Sequence, residues 1–148
     1  MNYLITGGLG YIGSHLAKTL IAQGNHVTII DNATAHELNV YEKARIALER
    51  LPKNIISIED ARDMRSDILR GIDCVIHLAA LSGIEACENN IHGAKMSNVE
   101  LTKHVLAKCV EAGVPKIFLA STAAVYGNLK KCHESSDTIT ETFMQKLN

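Results

Sequence analysis

Tyr3, Leu4 and Ile5 form an apolar run that breaks into glycines at Gly7, Gly8, Gly10 and Gly13, after which apolar residues resume at helical spacing. The pattern predicts a strand, a tight turn and a helix. Ile12, Leu16 and Leu20 recur at i, i+4 and i+8, which predicts one buried helix face, and Gly24 stands where a left-handed C-terminal cap belongs. Residues 26–30 are a β-branched second strand ending at Asp31 and Asn32. After a loop at 33–36, Leu38, Tyr41, Arg45 and Leu48 trace a partly apolar helix that stops at Leu51 and Pro52. Residues 54–58 read as a third strand, and the acidic stretch 59–63 as the opening of a helix reaching Gly71. Residues 73–78 are nearly all apolar, as a parallel strand covered on both faces requires. A long helix is predicted over about 92–112, with Leu101, Val105, Leu106, Cys109 and Val110 inward and Gly113 and Pro115 as its stop. A fifth strand covers 116–121, and beyond Gly127 the pattern decays into a polar stretch with a short helix over 140–147.

Alternating strand and helix predict an α/β fold with a parallel sheet. The 148 residues suit one domain, and a hydrophobic content of 47% is enough for a core. Sixteen acidic and fifteen basic side chains nearly cancel, leaving no electrostatic footprint for nucleic acid or an anionic membrane. A small molecule is the expected partner. No apolar run approaches the ~20 residues of a membrane span, and the N-terminus enters a strand without the charged start of a signal peptide. Cys74, Cys87, Cys109 and Cys132 lack C-x-x-C spacing, which argues against a metal site and for reduced thiols in cytoplasm.

The candidate chemistry sits at strand ends. Gly8, Gly10 and Gly13 match G-x-G-x-x-G, a spacing that lets backbone approach a pyrophosphate more closely than any Cβ allows, with the following helix aiming free N–H groups at the anion. Asp31 lies where such a fold places the acid that accepts hydrogen bonds from ribose hydroxyls and repels a 2′-phosphate, favouring NAD over NADP. Asp60 follows the third strand at the edge where a doubly wound sheet gathers ligand contacts, although a capping role suits it too. The small residues of 79–83 let backbone lie flat against a ligand, or simply make a tight strand exit. His77, alone in an apolar run, reads as a satisfied core histidine, and Asn98, near the inner helix face, needs a partner if it points inward. Ser121 and Thr122 present two hydroxyls at the end of the fifth strand.

Taken together, Thr6-Gly7-Gly8-Leu9-Gly10-Tyr11-Ile12-Gly13, Ile30-Asp31-Asn32, Asp60-Ala61-Arg62-Asp63, Val75-Ile76-His77-Leu78-Ala79-Ala80, Asn98-Val99 and Ser121-Thr122-Ala123-Ala124-Val125-Tyr126-Gly127 resemble the extended short-chain dehydrogenases. The group in question is the NAD-dependent sugar-nucleotide epimerases and dehydratases, UDP-glucose 4-epimerase among them. The resemblance implies a Rossmann-type doubly wound parallel sheet of about five strands and NAD as cofactor. It implies that Gly7, Gly10 and Gly13 shape the pyrophosphate turn, with backbone contacts from Tyr11 and Ile12. Asp31 and Asn32 would hold the adenosine ribose, and Asp60, with Ala61 beside it, the adenine amino group. Leu78, Ala79 and Ala80 would line the nicotinamide half, with Ser82 just beyond and Asn98 steadying that wall. Thr122 matches the hydroxyl that hydrogen-bonds a sugar hydroxyl during hydride transfer. Tyr126 would be structural.

Members of that group carry a Tyr-x-x-x-Lys pair on the next long helix, which this sequence does not reach, and their last strands and sugar-binding domain lie further on. Tyr126 and Lys130 have the spacing, yet Gly127-Asn128 is a turn signal that opposes the helix such a pair needs. The expectation is therefore the NAD-binding part of a nucleotide-sugar epimerase or dehydratase, catalytically incomplete as it stands. The alternative is a non-catalytic dinucleotide-binding or interaction module, a homo-oligomer for instance, whose open sheet edge needs a partner.

Overall fold

A computed structural model describes residues 1–34 and 55–122 of the chain. The helix expected over 38–51, the start of the third strand at Asn54, residues 123–127, the pair Tyr126/Lys130, Cys132 and the helix expected over 140–147 lie outside the described residues. Within them, strands β1 (Asn2–Thr6), β2 (His26–Asp31), β3 (Ile56–Ile58), β4 (Cys74–His77) and β5 (Ile117–Leu119) form one all-parallel sheet in the order β3-β2-β1-β4-β5. This is the Rossmann-type doubly wound arrangement. Strand order reverses between β1 and β4, and open sheets of this kind bind ligands at such a switch point, outside the carboxyl ends of the strands.

Because side chains alternate along a strand, successive residues of β1 feed opposite layers. Leu4 joins Ile30, Val75, Met64, Leu69, Leu101, Val105 and Cys109 on one side of the sheet, while Ile5 joins Val27, Ile29, Leu9, Ala17 and Leu20 on the other. Each fully buried Leu, Ile or Val contributes about 1.5–3 kcal/mol relative to exposure. Register aligns Ile30, Thr6, His77 and Leu119 in one row across the sheet. The loops that leave this row carry the candidate site.

Helix α1 (Tyr11–Ala22) covers the second layer, and its inner face is rotated from the expected one. Gly13, Ser14, Ala17 and Leu20 are buried, Leu16 is half-buried, and Ile12 is 66% exposed. Small residues face the sheet because the helix starts directly against the glycine turn, where a larger side chain has no room. The stop at Gly24 is as expected. Its φ is +80°, its N–H donates to Ile21 O, and Asn25 N–H donates to Leu20 O, the paired bonds of a Schellman cap.

The helix expected to open in the acidic stretch 59–63 and reach Gly71 is instead a turn followed by a 3-10 segment, Ser66–Leu69. Asp60 draws the chain into that turn by accepting from Arg62 N–H at 2.9 Å, and Arg65 is extended, which lets Ala61, Met64 and Leu69 all reach the core despite irregular spacing. A short helix α2 (Ile84–Asn89), which the hydrophobic pattern does not predict, precedes α3 (Ile91–Lys95). The long helix expected over 92–112 is present as α3, a π-helical segment Met96–Glu100, and α4 (Leu101–Glu111). Leu101, Val105 and Cys109 are buried on its inner face, Leu106 is half-buried, and Val110 is 78% exposed on the far side. Gly113, at φ +68°, closes α4 with a second Schellman cap, Val114 N–H donating to Cys109 O.

Candidate functional site

The turn after β1 is packed too tightly for any side chain at two positions. A Cβ on Gly7 would stand 2.7 Å from Ala79 N and 2.8 Å from Leu78 C, and φ there is +69°. A Cβ on Gly13 would run into Gly7 O and come within 2.7 Å of Gly8 Cα. A Cβ on Gly8 would stand 2.6 Å from the Ile29 side chain, so Gly8 seats the turn on β2, and the glycines that form the concave turn itself are Gly7, Gly10 and Gly13. Gly10 is the N-cap of α1, extended and without a side-chain cap, and the first helical bond runs from Ser14 N–H to Gly10 O. The N–H groups of the first turn, Tyr11 and Ile12 included, thus point outward at the positive end of the helix dipole, and that turn holds no acidic residue. The cradle fits an anionic diphosphate.

Asp31, at the tip of β2, is bound to this turn. Its Oδ2 accepts Leu9 N–H at 3.0 Å and its Oδ1 accepts Ala33 N–H at 2.8 Å, holding Ala33 at φ +54°, a conformation uncommon for alanine. Asn32 beside it is exposed and accepts from Thr34 N–H and Oγ1–H at 3.2 and 2.8 Å. Asp60 accepts Arg62 Nε–H at 2.9 Å and Nη2–H at 2.6 Å, and the guanidinium, helped by Asn32, holds its carboxyl below the usual range. Oδ1 thereby accepts two bonds from Arg62, from its backbone N–H and its Nε–H. Ala61 turns its methyl into the core, so a ligand can meet only its backbone.

On the other side of the switch point, Leu78 N–H donates to Thr6 O at 3.0 Å, extending the ladder past β4; Ala79 is half-buried, and Ala80 and Ser82 are exposed. Asn98 grips this segment. Its Oδ1 accepts Leu81 N–H at 2.7 Å and its Nδ2 donates to Leu81 O at 2.9 Å. Asn98 is exposed, and it lies in the π-helical segment, a feature frequent at functional sites. Ser121 and Thr122 follow β5, both exposed at the same edge. The sequence pattern passed over Thr6, Leu9 and Thr102. For Thr6 a signal existed: a hydroxyl in an apolar strand needs a partner, and His77 supplies it.

His77 is the satisfied core histidine expected. Nδ1 stands 2.6 Å from Thr6 Oγ1 and Nε2 3.0 Å from Thr102 Oγ1, and burial pushes the imidazole below its ordinary pKa. The unfolded chain then binds the proton more readily than the folded one. His77 therefore contributes no penalty above its unfolded pKa, about 6.5, and an increasing one as pH falls below it. Calorimetric melting scans from about pH 7.5 to about pH 5 are expected to show Tm falling more steeply in the unsubstituted chain than in His77→Gln; parallel slopes would contradict this. Asp60 acts only lower, losing its Arg62-derived stabilisation as pH drops through about 3.8 and below. Burial raises the Cys74 and Cys109 thiols, which makes them poor nucleophiles, and no cluster of metal-ligating side chains occurs among the described residues.

The model of the NAD dependent epimerase/dehydratase family matches residues 3–147. The chain belongs to that family. Among curated family relatives, UDP-N-acetyl-alpha-D-glucosaminuronate decarboxylase of Bacillus cytotoxicus is 36% identical over 124 residues, covering 84% of this chain and 37% of its own length. UDP-glucose 4-epimerase of Neisseria meningitidis serogroup C is 31% identical over 144 residues, covering 90% and 40%. Among solved structures, UDP-glucose-4-epimerase from Stenotrophomonas maltophila with bound NAD and formylated UDP-arabinopyranose superposes with a TM-score of 0.75 at 30% identity, over 98% of this chain and 45% of that one. The Thermus thermophilus UDP-glucose 4-epimerase complex with NAD gives 0.74 at 27% identity, over 97% and 43%. This family member thus spans about two-fifths of the length of the relatives it matches.

Proposed function

We propose that the chain is the NAD-binding part of an enzyme that transfers hydride between NAD and a carbon of a nucleotide sugar. The observation that carries this reading is the pairing of the glycine cradle with Asp31 at the switch point of the sheet. In it, residues 1–148 belong to one dinucleotide-binding domain, of which they are an incomplete part, with a polar tail from about residue 128. Gly7, Gly10 and Gly13 admit the diphosphate, and the Tyr11 and Ile12 N–H groups bind it. Asp31 and Asn32 take the adenosine ribose, and Asp60 and the Ala61 backbone the adenine. Leu78, Ala79, Ala80 and Ser82 border the nicotinamide half, braced by Asn98. Thr122 hydrogen-bonds a hydroxyl of the sugar. When bound, NAD supplies the hydride acceptor, and the chain supplies position and exclusion of alternatives.

Support comes from the names of the relatives, which act on UDP-sugars, and from the NAD held in two of the solved structures. No helix among the described residues is long and apolar enough to cross a membrane, and Cys74, Cys87 and Cys109 are free thiols, which suits the cytoplasm. Calorimetric titration of the chain with NAD and NADP tests the reading. NAD is expected to bind about tenfold or more tighter, because the Asp31 carboxylate opposes a 2′-phosphate. A folded chain that binds neither nucleotide, or binds NADP more tightly, overturns it.

A further inference from the structure

The hydrogen bonds around His77 run in one direction. Thr102 Oγ1–H donates to Asn98 O at 2.9 Å, so Thr102 Oγ1 meets His77 Nε2, 3.0 Å away, as an acceptor, and the imidazole proton belongs on Nε2. His77 Nδ1 is then an acceptor for Thr6 Oγ1–H at 2.6 Å, and Thr6 Oγ1 in turn accepts Ala79 N–H at 3.4 Å. The chain of bonds starts at the Ala79 amide, crosses the sheet through Thr6 and His77, and reaches the backbone of Asn98. The Asn98 side chain returns to the same loop by its two bonds to Leu81. Ala79 is also the residue whose backbone closes on Gly7.

We propose that His77 is a positioning residue: held as the Nε2–H tautomer, it joins the Ala79 and Leu81 backbones through Thr6, Thr102 and Asn98, fixing the wall on which the nicotinamide half of the dinucleotide lies. This rests on the NAD-binding reading for its ligand and on geometry alone for its relay. A reversed tautomer would face Thr102 with a bare nitrogen while its hydroxyl is committed to Asn98, leaving one bond unmade in a buried place. Removing the Thr102 hydroxyl takes away the acceptor that selects the tautomer, without touching the glycine cradle or Asp31.

Nitrogen-15 spectra of the histidine rings and backbone amides, recorded on the full chain and on Thr102→Val and Thr102→Ser, test this. The expected result is Nε2–H for His77 in the unsubstituted chain. In Thr102→Val the Ala79 and Leu81 amides shift and NAD binds about three- to tenfold more weakly, while AMP, which carries only the adenosine half, binds unchanged. Thr102→Ser restores both. An Nδ1–H or doubly protonated His77, unmoved amides in Thr102→Val, or an equal loss for AMP overturns the proposal. Because the tautomer is read on the unsubstituted chain, that measurement can still refute the proposal if Thr102→Val does not fold. Failure of the unsubstituted chain to bind NAD strikes the cofactor reading, and the tautomer and amide shifts still decide the relay.

Discussion

Gly7→Ala is expected to lower the stability of the chain by about 2–5 kcal/mol and to abolish NAD binding. Two costs add. An alanine held at φ +69° carries about 1–2 kcal/mol of backbone strain. Its Cβ would also stand 2.7–2.8 Å from backbone atoms of Leu78 and Ala79, which cannot swing aside as a side chain can. Forcing an extra carbon into packed surroundings adds about 1–3 kcal/mol. Relief comes only if the turn and the segment after β4 move apart, and that separation opens the cradle. Urea unfolding measures the first effect and nucleotide titration the second. Gly24→Ala is the control: its φ is +80°, yet nothing lies within 4 Å of the new carbon, so it should show the strain alone and leave binding intact. Equal losses of stability in the two variants would show that the close approach at Gly7 carries no weight.

Asp31→Ala should weaken NAD binding by about tenfold to a hundredfold, the equivalent of losing charge-assisted hydrogen bonds worth about 1.5–3 kcal/mol. The carboxylate serves two ends. It is placed to receive ribose hydroxyls in the proposed complex, and it already receives the Leu9 and Ala33 N–H groups, which tie the glycine turn to the tip of β2. Removing it leaves those two donors to find water and lets Ala33 relax from its left-handed conformation. It also removes the charge that opposes a 2′-phosphate, so the preference for NAD over NADP should shrink in the same titration. Asp31→Asn keeps one acceptor oxygen and turns a donor toward the other N–H, so it should fall between. An affinity for NAD unchanged in Asp31→Ala would remove this residue from the site.

Both predictions rest on residues that the sequence already singled out, because their demands are local. Glycine tolerates a left-handed turn where other residues do not, and a carboxylate at the end of a β-branched run is visible as such. What the local pattern misjudged were matters of facing. Ile12 has the spacing of a buried residue and lies exposed, since the glycine cradle rotates α1 until Gly13 and Ala17 meet the sheet. Val110 likewise falls outside the face set by Leu101, Val105 and Cys109. Residues 60–71 carry enough apolar side chains for a helix, but the extended Arg65 is what delivers Leu69 to the core.

By itself the sequence determined the alternation of strands and helices, the family, and the glycine and carboxylate positions at the ends of β1 and β2, because periodicity, caps and turn chemistry act over a few neighbouring residues. Only the tertiary structure decided which glycine closes on which strand, that Asp31 anchors Leu9, and that Thr6, His77, Thr102, Asn98 and Leu81 form one hydrogen-bonded path. Those contacts join residues far apart in the chain, Thr6 and His77 by 71 positions. They exist because a parallel sheet with its order reversed between β1 and β4 brings the ends of distant strands to one edge.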